Sequence, residues 1–368
     1  MTLSKEALKR LGVTVREFDP KDIFPHYAGH FELSPKEELL QELNDCDLIW
    51  TGIYNIVLNE KARQKIKPPI IFQIDGYGKT SFHDGYVNPK IKNITNACDL
   101  VTFLDMNIYE VLKATGMKFN YDEMFFVPNG RITLPASKEI PSGWINKKKL
   151  VGSLMTENPY KKPEYFLSAT NFLPDDVNVI YPILDFKNFS KINVSPLVKL
   201  FGGHSLYRDG LIKLENLPKV WFVPYISREI VRSFMLNCDA FIHYTSGDAF
   251  PKTILEAFDS GVAPIVSDIT RIQGISLSNL QIAKDQIGAP MPQAFKATHN
   301  LFNTGNGKHL TIVPRESSEL LAEAITRALE NPKKLTAMGA RAKMWSEEWI
   351  SWRDKWESTL ELAEKRKL

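Results

Sequence analysis

Short apolar runs alternate along this chain with longer stretches whose apolar residues recur at helical spacing. In the first third, helical patterns at 4–11, 35–43, 56–66, 91–98 and 107–115 interleave with apolar runs at 47–52, 70–74, 100–104 and 125–127. A short extended run, Val13-Thr14-Val15, follows the first helix, and then a polar stretch rich in His and aromatics (Phe24, His26, Tyr27, His30, Phe31). Ser34 with Glu37 three residues on forms a capping pair for the second helix, and Pro68-Pro69 stop the third. Strands alternating with helices imply a parallel sheet covered on both faces.

A loop over 131–149, carrying Pro135, Pro141 and Gly143, reads as a linker, after which the alternation restarts. Leu150-Val151 lead to a glycine turn at Gly152. Further strands are expected at 177–181, 198–201, 220–223, 241–242 and 263–267, with helices at 164–172, 228–236, 254–259 and 317–329. Residues 273–308 read as irregular and polar, a length at which loops tend to be lids or mobile segments. The chain closes on a helical tail, 333–366, with Trp345, Trp349, Trp352 and Trp356. These patterns predict an N-terminal domain over 1–146, a C-terminal domain over 147–340 and a terminal helical segment over 341–368.

With 43% hydrophobic and 24% charged residues the composition is that of an ordinary globular protein, and two domains fit 368 residues. A formal net charge of +3 is too small to argue for nucleic acid or an acidic membrane. No apolar run approaches the ~20 residues of a membrane helix, and residues 1–9 have no signal-type apolar stretch, so a cytoplasmic protein is expected. The three cysteines lack metal spacing. Each precedes an Asp at a helix-to-strand junction (Cys46-Asp47, Cys98-Asp99, Cys238-Asp239), where Cys packs as a small hydrophobe. No Asp/His set has metal spacing, so neither metal nor cofactor is expected.

The chemistry concentrates in Ser246-Gly247-Asp248-Ala249-Phe250-Pro251-Lys252-Thr253-Ile254-Leu255-Glu256, which runs through Gly261 to Asp268. It reads as loop, helix and strand. Pro251 suits the first helical turn, which leaves the amides of Lys252, Thr253 and Ile254 available to an anion such as a diphosphate. Glu256, about one turn in, suits a pair of neighbouring hydroxyls such as a ribose diol. Gly261 ends the helix.

This stretch resembles the signature of the GT-B retaining glycosyltransferases of family 4, roughly E-G-F-P-x-x-x-x-E-A, a glycine, then V-P-V-V-A-S-D. Ala97 to Thr102, Tyr109 to Leu112 and Phe126 to Gly130 are similar to the end of that family's N-terminal domain. Phe222 to Glu229, with Tyr225 and Ile226, resembles its nucleobase-holding strand and turn. Ser351 to Leu360 is similar to its last helix, which crosses back onto the N-terminal domain. The resemblance implies two doubly wound Rossmann-like α/β domains facing an interdomain cleft, with the nucleotide on the C-terminal domain. It also implies transfer from a UDP- or GDP-sugar with retention and without metal, to a glycan, lipid-linked or small-molecule acceptor.

On this resemblance Glu256, Phe250, Pro251, Lys252, Thr253 and Ile254 bind the donor, with Ser153, Gly202, Gly203, Tyr225 and Ile226. Asp248 holds donor-sugar hydroxyls, and Asp75, at the end of the 70–74 run, faces the reacting centre by analogy with a family His. The departures are these. Asp248 stands where the family has Glu. Ser153 stands where an Arg follows the glycine. Lys161 or Lys162 replaces a diphosphate-binding Lys, and the first strand is missing or replaced. His243 reads as a satisfied interior histidine, and Lys61, Arg63, Lys65 and Lys67 as a solvated helix face. The departures support, as alternative, a non-catalytic GT-B protein that binds a nucleotide sugar or glycan, or scaffolds a partner. A transferase acting on modified DNA is disfavoured by the near-neutral charge.

Overall fold

The computed structural model describes residues 2–17, 37–51, 60–74, 82–83, 86–87, 95–116, 118–144, 148–155, 161–189, 196–207, 211–269 and 271–368. The chain forms two compact units. The first comprises Met1–Gly130, Gln281–Asn300 and Ile350–Leu368, and the second Arg131–Leu280 and Leu301–Trp349. The division thus falls at Gly130, ahead of the boundary read at 146, and the 281–300 excursion joins the first unit.

The first unit is built on four parallel strands, β1 (Ile49–Thr51), β2 (Ile70–Ile74), β3 (Leu100–Phe103) and β4 (Met124–Phe126), lying in chain order. Every residue of β2 is buried, as a strand covered on both faces requires. The helix Trp352–Lys365 belongs to this unit and opens on a capping box between Ser351 and Asp354. Gly130 is the residue this contact needs, because a Cβ there would collide with the backbone of Ser351 and Trp352. Lys355 is 1% exposed. Its ammonium donates to Gln73 Oε1 at 2.7 Å and Asn129 Oδ1 at 3.2 Å, beyond or near the ends of β4 and β2.

The segment read as an irregular loop is corrected by the structure. Within 273–308 lie helices at Leu280–Lys284 and Met291–Thr298, and Gln273, Ile275, Met291 and Ala294 are at most 1% exposed. In the first unit Gly288 donates to Phe126 O and Phe126 to Ala289 O, at 2.8 and 3.0 Å, and Phe295 packs on Tyr109. Gly288, Pro290 and Pro292 interrupt the apolar period, and the short helical pieces between them leave no legible repeat.

The second unit carries β5 (Lys149–Ser153), β6 (Val177–Ile183), β7 (His204–Leu206), β8 (Ile212–Leu214), β9 (Leu217–Pro224), β10 (Ala240–His243), β11 (Pro264–Ser267) and β12 (Thr311–Val313). Their order in the sheet is β12-β11-β10-β5-β6-β9-β8-β7. The strands from β12 to β9 are parallel; β8 and β7 close one edge as antiparallel additions. The chain runs outward from β5 through β6 to β9 and returns to β10 on the other side of β5. The crevice beyond the carboxyl ends of β5 and β10 is therefore the topological switch point, where doubly wound sheets bind ligands.

Two expectations in this unit are corrected. Residues 198–201 lie in a helix, Pro196–Phe201, and not in a strand. Gly202 closes that helix with φ +92°, as a residue without Cβ can. Gly152 lies inside β5 and makes no turn. A Cβ at Gly152 would collide with Cys238 Sγ and the Phe234 ring, so the glycine lets the helix Arg228–Asn237 approach the sheet. Gly152→Ala is expected to destabilise the protein by about 1–3 kcal/mol through overpacking, measured by denaturant unfolding; unchanged stability would show that the helix yields freely.

The Cys-Asp pairs at 98–99 and 238–239 share a further role. Asp99 N–H donates to Ile70 O at 3.0 Å and its carboxylate accepts Ile70 N–H at 2.8 Å. Asp239 makes the same two bonds to Leu150, each 2.7 Å. Each Asp thus clamps the start of a neighbouring parallel strand. Burial pushes the adjacent Cys98 thiol up to about 12 and raises Cys238 further, so both are inert packing groups. In the basic run, Arg63 is paired with Asp99 and donates to Ala97 O, and Lys65 pairs with Glu37, so these two serve the fold. No helix among the described residues is long and apolar enough to cross a membrane.

Candidate functional site

The crevice is framed by loops that leave the carboxyl ends of the central strands. The loop after β10 is fixed against β11 by Ser267, whose hydroxyl donates to Thr245 O at 2.6 Å and accepts Thr245 N–H at 3.2 Å. Ser246 N–H donates to Lys161 O at 3.2 Å, which joins that loop to the one following β5. These bonds bring Lys161 to Asp248: its ammonium lies 2.9 Å from Asp248 Oδ2. Of the two candidate lysines, therefore, Lys161 is the one directed at the signature carboxylate. Lys162 instead pairs with Glu316 at 3.1 Å.

His243, the last residue of β10, is the third member of this cluster. It is 1% exposed, and its Nε2 lies 3.3 Å from the same Asp248 Oδ2. His243 is interior, as the sequence reads, and its partner is the signature carboxylate. Burial lowers its pKa, against the pull of Asp248, and keeps the imidazole neutral. Burial alone would raise the Asp248 carboxyl, but the Lys161 ammonium and the His243 hydrogen bond outweigh it and hold the group well below the usual carboxylate range. Asp248 is an anion throughout the neutral range.

A cavity of about 220 Å³ opens in the same unit. Leu154 and Met155 after β5, Pro182 and Leu184 around the end of β6, and Tyr225 and Ile226 after β9 form its walls, with Arg228 and Val231 from the next helix. Thr253 and Glu256 complete it from the helix Lys252–Asp259. Most of the lining residues are apolar, and Arg228, Thr253 and Glu256 bring polar groups to the same space, a mixture found in small-molecule sites. Tyr225 is 64% exposed, so its ring can receive a planar ligand. Burial pushes the Glu256 carboxyl up to about 7, against the opposing charges of Arg228 and Lys252. An anion held at that cost is positioned for polar hydrogens that a ligand would supply.

The helix itself is anchored from behind. Phe258 packs edge-on against Trp345 at 5.2 Å. Gly261, at φ +72°, turns the chain beside Gly339, where a Cβ would collide with Gly261 O. Its first turn is narrower as an anion site than the sequence implied, because Ile254 N–H is already bonded to Pro251 O at 3.1 Å. The Phe250 and Ile254 side chains are 3% and 0% exposed, and Phe250 stacks on Trp349, so both build the core. Pro251 is buried as N-cap of the helix. Lys252 and Thr253 remain on the open side.

Other proposed donor residues lie outside the lining of this cavity. Ser153 is fully buried and its hydroxyl accepts Met155 N–H at 3.2 Å. Gly202 and Gly203 lie against the Glu215 side chain beside the β7–β8 edge, on the far side of β9 from the switch point. The strand end on which their assignment rested is not there. Asp75 lies outside the described residues. Sequence reasoning gave Arg228 no role of its own within the 222–229 stretch and did not connect the interior His243 with Asp248. For His243 the available signal was its place as the last residue of an apolar strand five positions before Asp248.

Fold and sequence together define the class. The protein has the GT-B fold of two Rossmann-like units, and residues 141–276 match the family model of glycosyl transferases group 1. Among solved structures, sucrose-phosphate synthase from Thermosynechococcus elongatus is 16% identical, covers 98% of this chain and 91% of its own, and superposes with a TM-score of 0.63. HepE from Anabaena, solved in complex with UDP-glucose, is 15% identical over 89% of this chain and 80% of its own, with a TM-score of 0.60. A glycosyltransferase from Rickettsia africae is 11% identical over 98% and 87%, with a TM-score of 0.55. No sequence among the curated proteins matches the chain.

Proposed function

We propose that the protein transfers a hexosyl group from a UDP- or GDP-sugar to an acceptor hydroxyl, with retention and without a divalent metal. The observation that carries this reading is the pairing, in one unit, of a cavity ending at Glu256 with an ionised Asp248 held by Lys161. Glu256 accepts the ribose hydroxyls while the base lies along Tyr225 and Ile226. The Thr253 end of the helix and the Lys161 ammonium meet the diphosphate, stabilising the anion that develops as the sugar leaves. Asp248 takes donor-sugar hydroxyls. Among the described residues no group of His, Cys, Asp and Glu is arranged to hold a metal ion. Asp75 is proposed as the acceptor-orienting carboxylate on the sequence resemblance alone.

A screen of UDP-, GDP- and ADP-sugars in excess chelator tests this. Release of nucleoside diphosphate from one donor class is expected; activity that appears only on adding magnesium or manganese would overturn the metal-free mechanism. A second reading, a non-catalytic nucleotide-sugar binder, is favoured by Ser153, whose buried hydroxyl offers the diphosphate no cation. It predicts binding without turnover in that screen.

The Glu256 carboxyl gives the site a pH dependence. It is raised to about 7 in the free protein, whereas the diol needs a carboxylate. Binding then displaces a proton below neutrality, so affinity for UDP-glucose is expected to rise from pH 6 to pH 8. The sign for stability is opposite: a raised carboxyl favours the fold below its unfolded pKa, and that contribution is lost as pH rises through about 7. Glu256→Gln should flatten the binding profile and raise the melting temperature at pH 8. Calorimetry showing the same pH slope in parent and variant would assign the dependence to another group.

A further inference from the structure

We propose that His243 is a positioning residue for Asp248. Together with Lys161 it fixes one carboxylate oxygen, Oδ2, so that Oδ1 is presented to the hydroxyls of the donor's sugar. The inference rests on the donor-site reading above and deepens it. Two donors converge on Oδ2, Lys161 Nζ at 2.9 Å and His243 Nε2 at 3.3 Å. An ionised carboxylate accepts only, so the single proton of a neutral imidazole must sit on Nε2. Nδ1 is then a bare acceptor, and it is buried with no partner among the described residues.

An orphan acceptor at the end of an apolar strand costs stability that a leucine would not. What it gains is the bond to Asp248. Lysine on a flexible stem fixes a distance but leaves the carboxylate free to turn about Cβ–Cγ. A second donor, rigid and held in the strand by burial, removes that freedom. The fixed carboxylate suits uncharged hydroxyls and repels phosphate oxygens, so His243 acts on recognition of the sugar and leaves the nucleoside diphosphate alone.

The test compares UDP with UDP-glucose, and GDP with GDP-mannose, by calorimetry on the full chain and on His243→Leu and His243→Gln. The glutamine amide reaches toward the Nε2 position and can donate in its place. The expected result for His243→Leu is diphosphate affinity within about twofold of the parent, with sugar-nucleotide affinity lowered about 10- to 100-fold, the loss of a hydrogen bond to a charged group. His243→Gln should restore most of it, and carries the comparison if the leucine variant does not fold. In the parent, ¹⁵N spectra should show His243 protonated on Nε2.

Equal behaviour of His243→Leu and parent toward both ligands, with UDP or GDP still bound, overturns the inference alone. Equal loss of diphosphate and sugar nucleotide in both variants overturns it also, because His243 would then serve the fold. A parent that binds none of the four ligands overturns the donor-site reading and this inference with it.

Discussion

Replacing Glu256 by alanine is expected to lower nucleoside diphosphate affinity about 10- to 150-fold, while the fold is kept. The magnitude is that of a hydrogen bond to a charged acceptor, about 1.5–3 kcal/mol, converted at 1.4 kcal/mol per decade. The carboxylate lines the same cavity as Tyr225 and Ile226, and burial has already raised its pKa to about 7. Its desolvation is a cost that the free protein carries for the sake of a ligand. Alanine removes both the cost and the bond, so the variant should melt no lower than the parent while binding worse. Calorimetry with UDP and GDP beside a melting curve separates these outcomes. Unchanged affinity would remove the ribose from Glu256.

The second large effect is expected at Lys161. Lys161→Ala should reduce turnover about 100- to 1000-fold, the range for removing one preorganised partner of a developing oxyanion. On the proposed reading the ammonium has two tasks: it would meet the diphosphate, and it helps to keep Asp248 ionised. Asp248→Asn loses only the second. The two substitutions share a partner, so their effects should not add in a double-mutant cycle. Single-turnover rates with a saturating donor measure this. Full additivity would show that the pair does not act as a unit, and a parent-like rate for Lys161→Ala would assign the leaving-group charge to another cation.

The parts of the fold that were legible in the sequence were those with local causes. Ile70–Ile74, Val177–Ile183 and Pro264–Ser267 are strands because each is a buried apolar run bounded by turn residues. The helix Lys252–Asp259 was legible from Pro251 and Gly261, which bracket it. Glu256, Tyr225, Ile226 and Thr253, named from the signature, do line one cavity.

What escaped depends on partners far away in the chain. Val198, Leu200 and Phe201 are apolar at a spacing that suits either element, and the structure makes them helix. Gly152 read as a turn because its real cause, the approach of Cys238 and Phe234, lies more than eighty residues on. The 273–308 segment is short helical pieces whose burial is tertiary. Lys161 and Lys162 were indistinguishable until the Ser246–Lys161 backbone bond selected one for Asp248. The partner of His243 was hidden because an imidazole in an apolar strand says nothing of what it faces.

The central claim is that a nucleotide sugar binds at the switch point of the second unit's sheet. The most direct measurement is a crystal structure of the chain soaked with the donor that the hydrolysis screen selects. The account predicts the ribose hydroxyls within hydrogen-bond distance of Glu256, the base against Tyr225 and Ile226, and the diphosphate reaching Lys161. A nucleotide bound elsewhere, with Glu256 facing empty solvent, would contradict it.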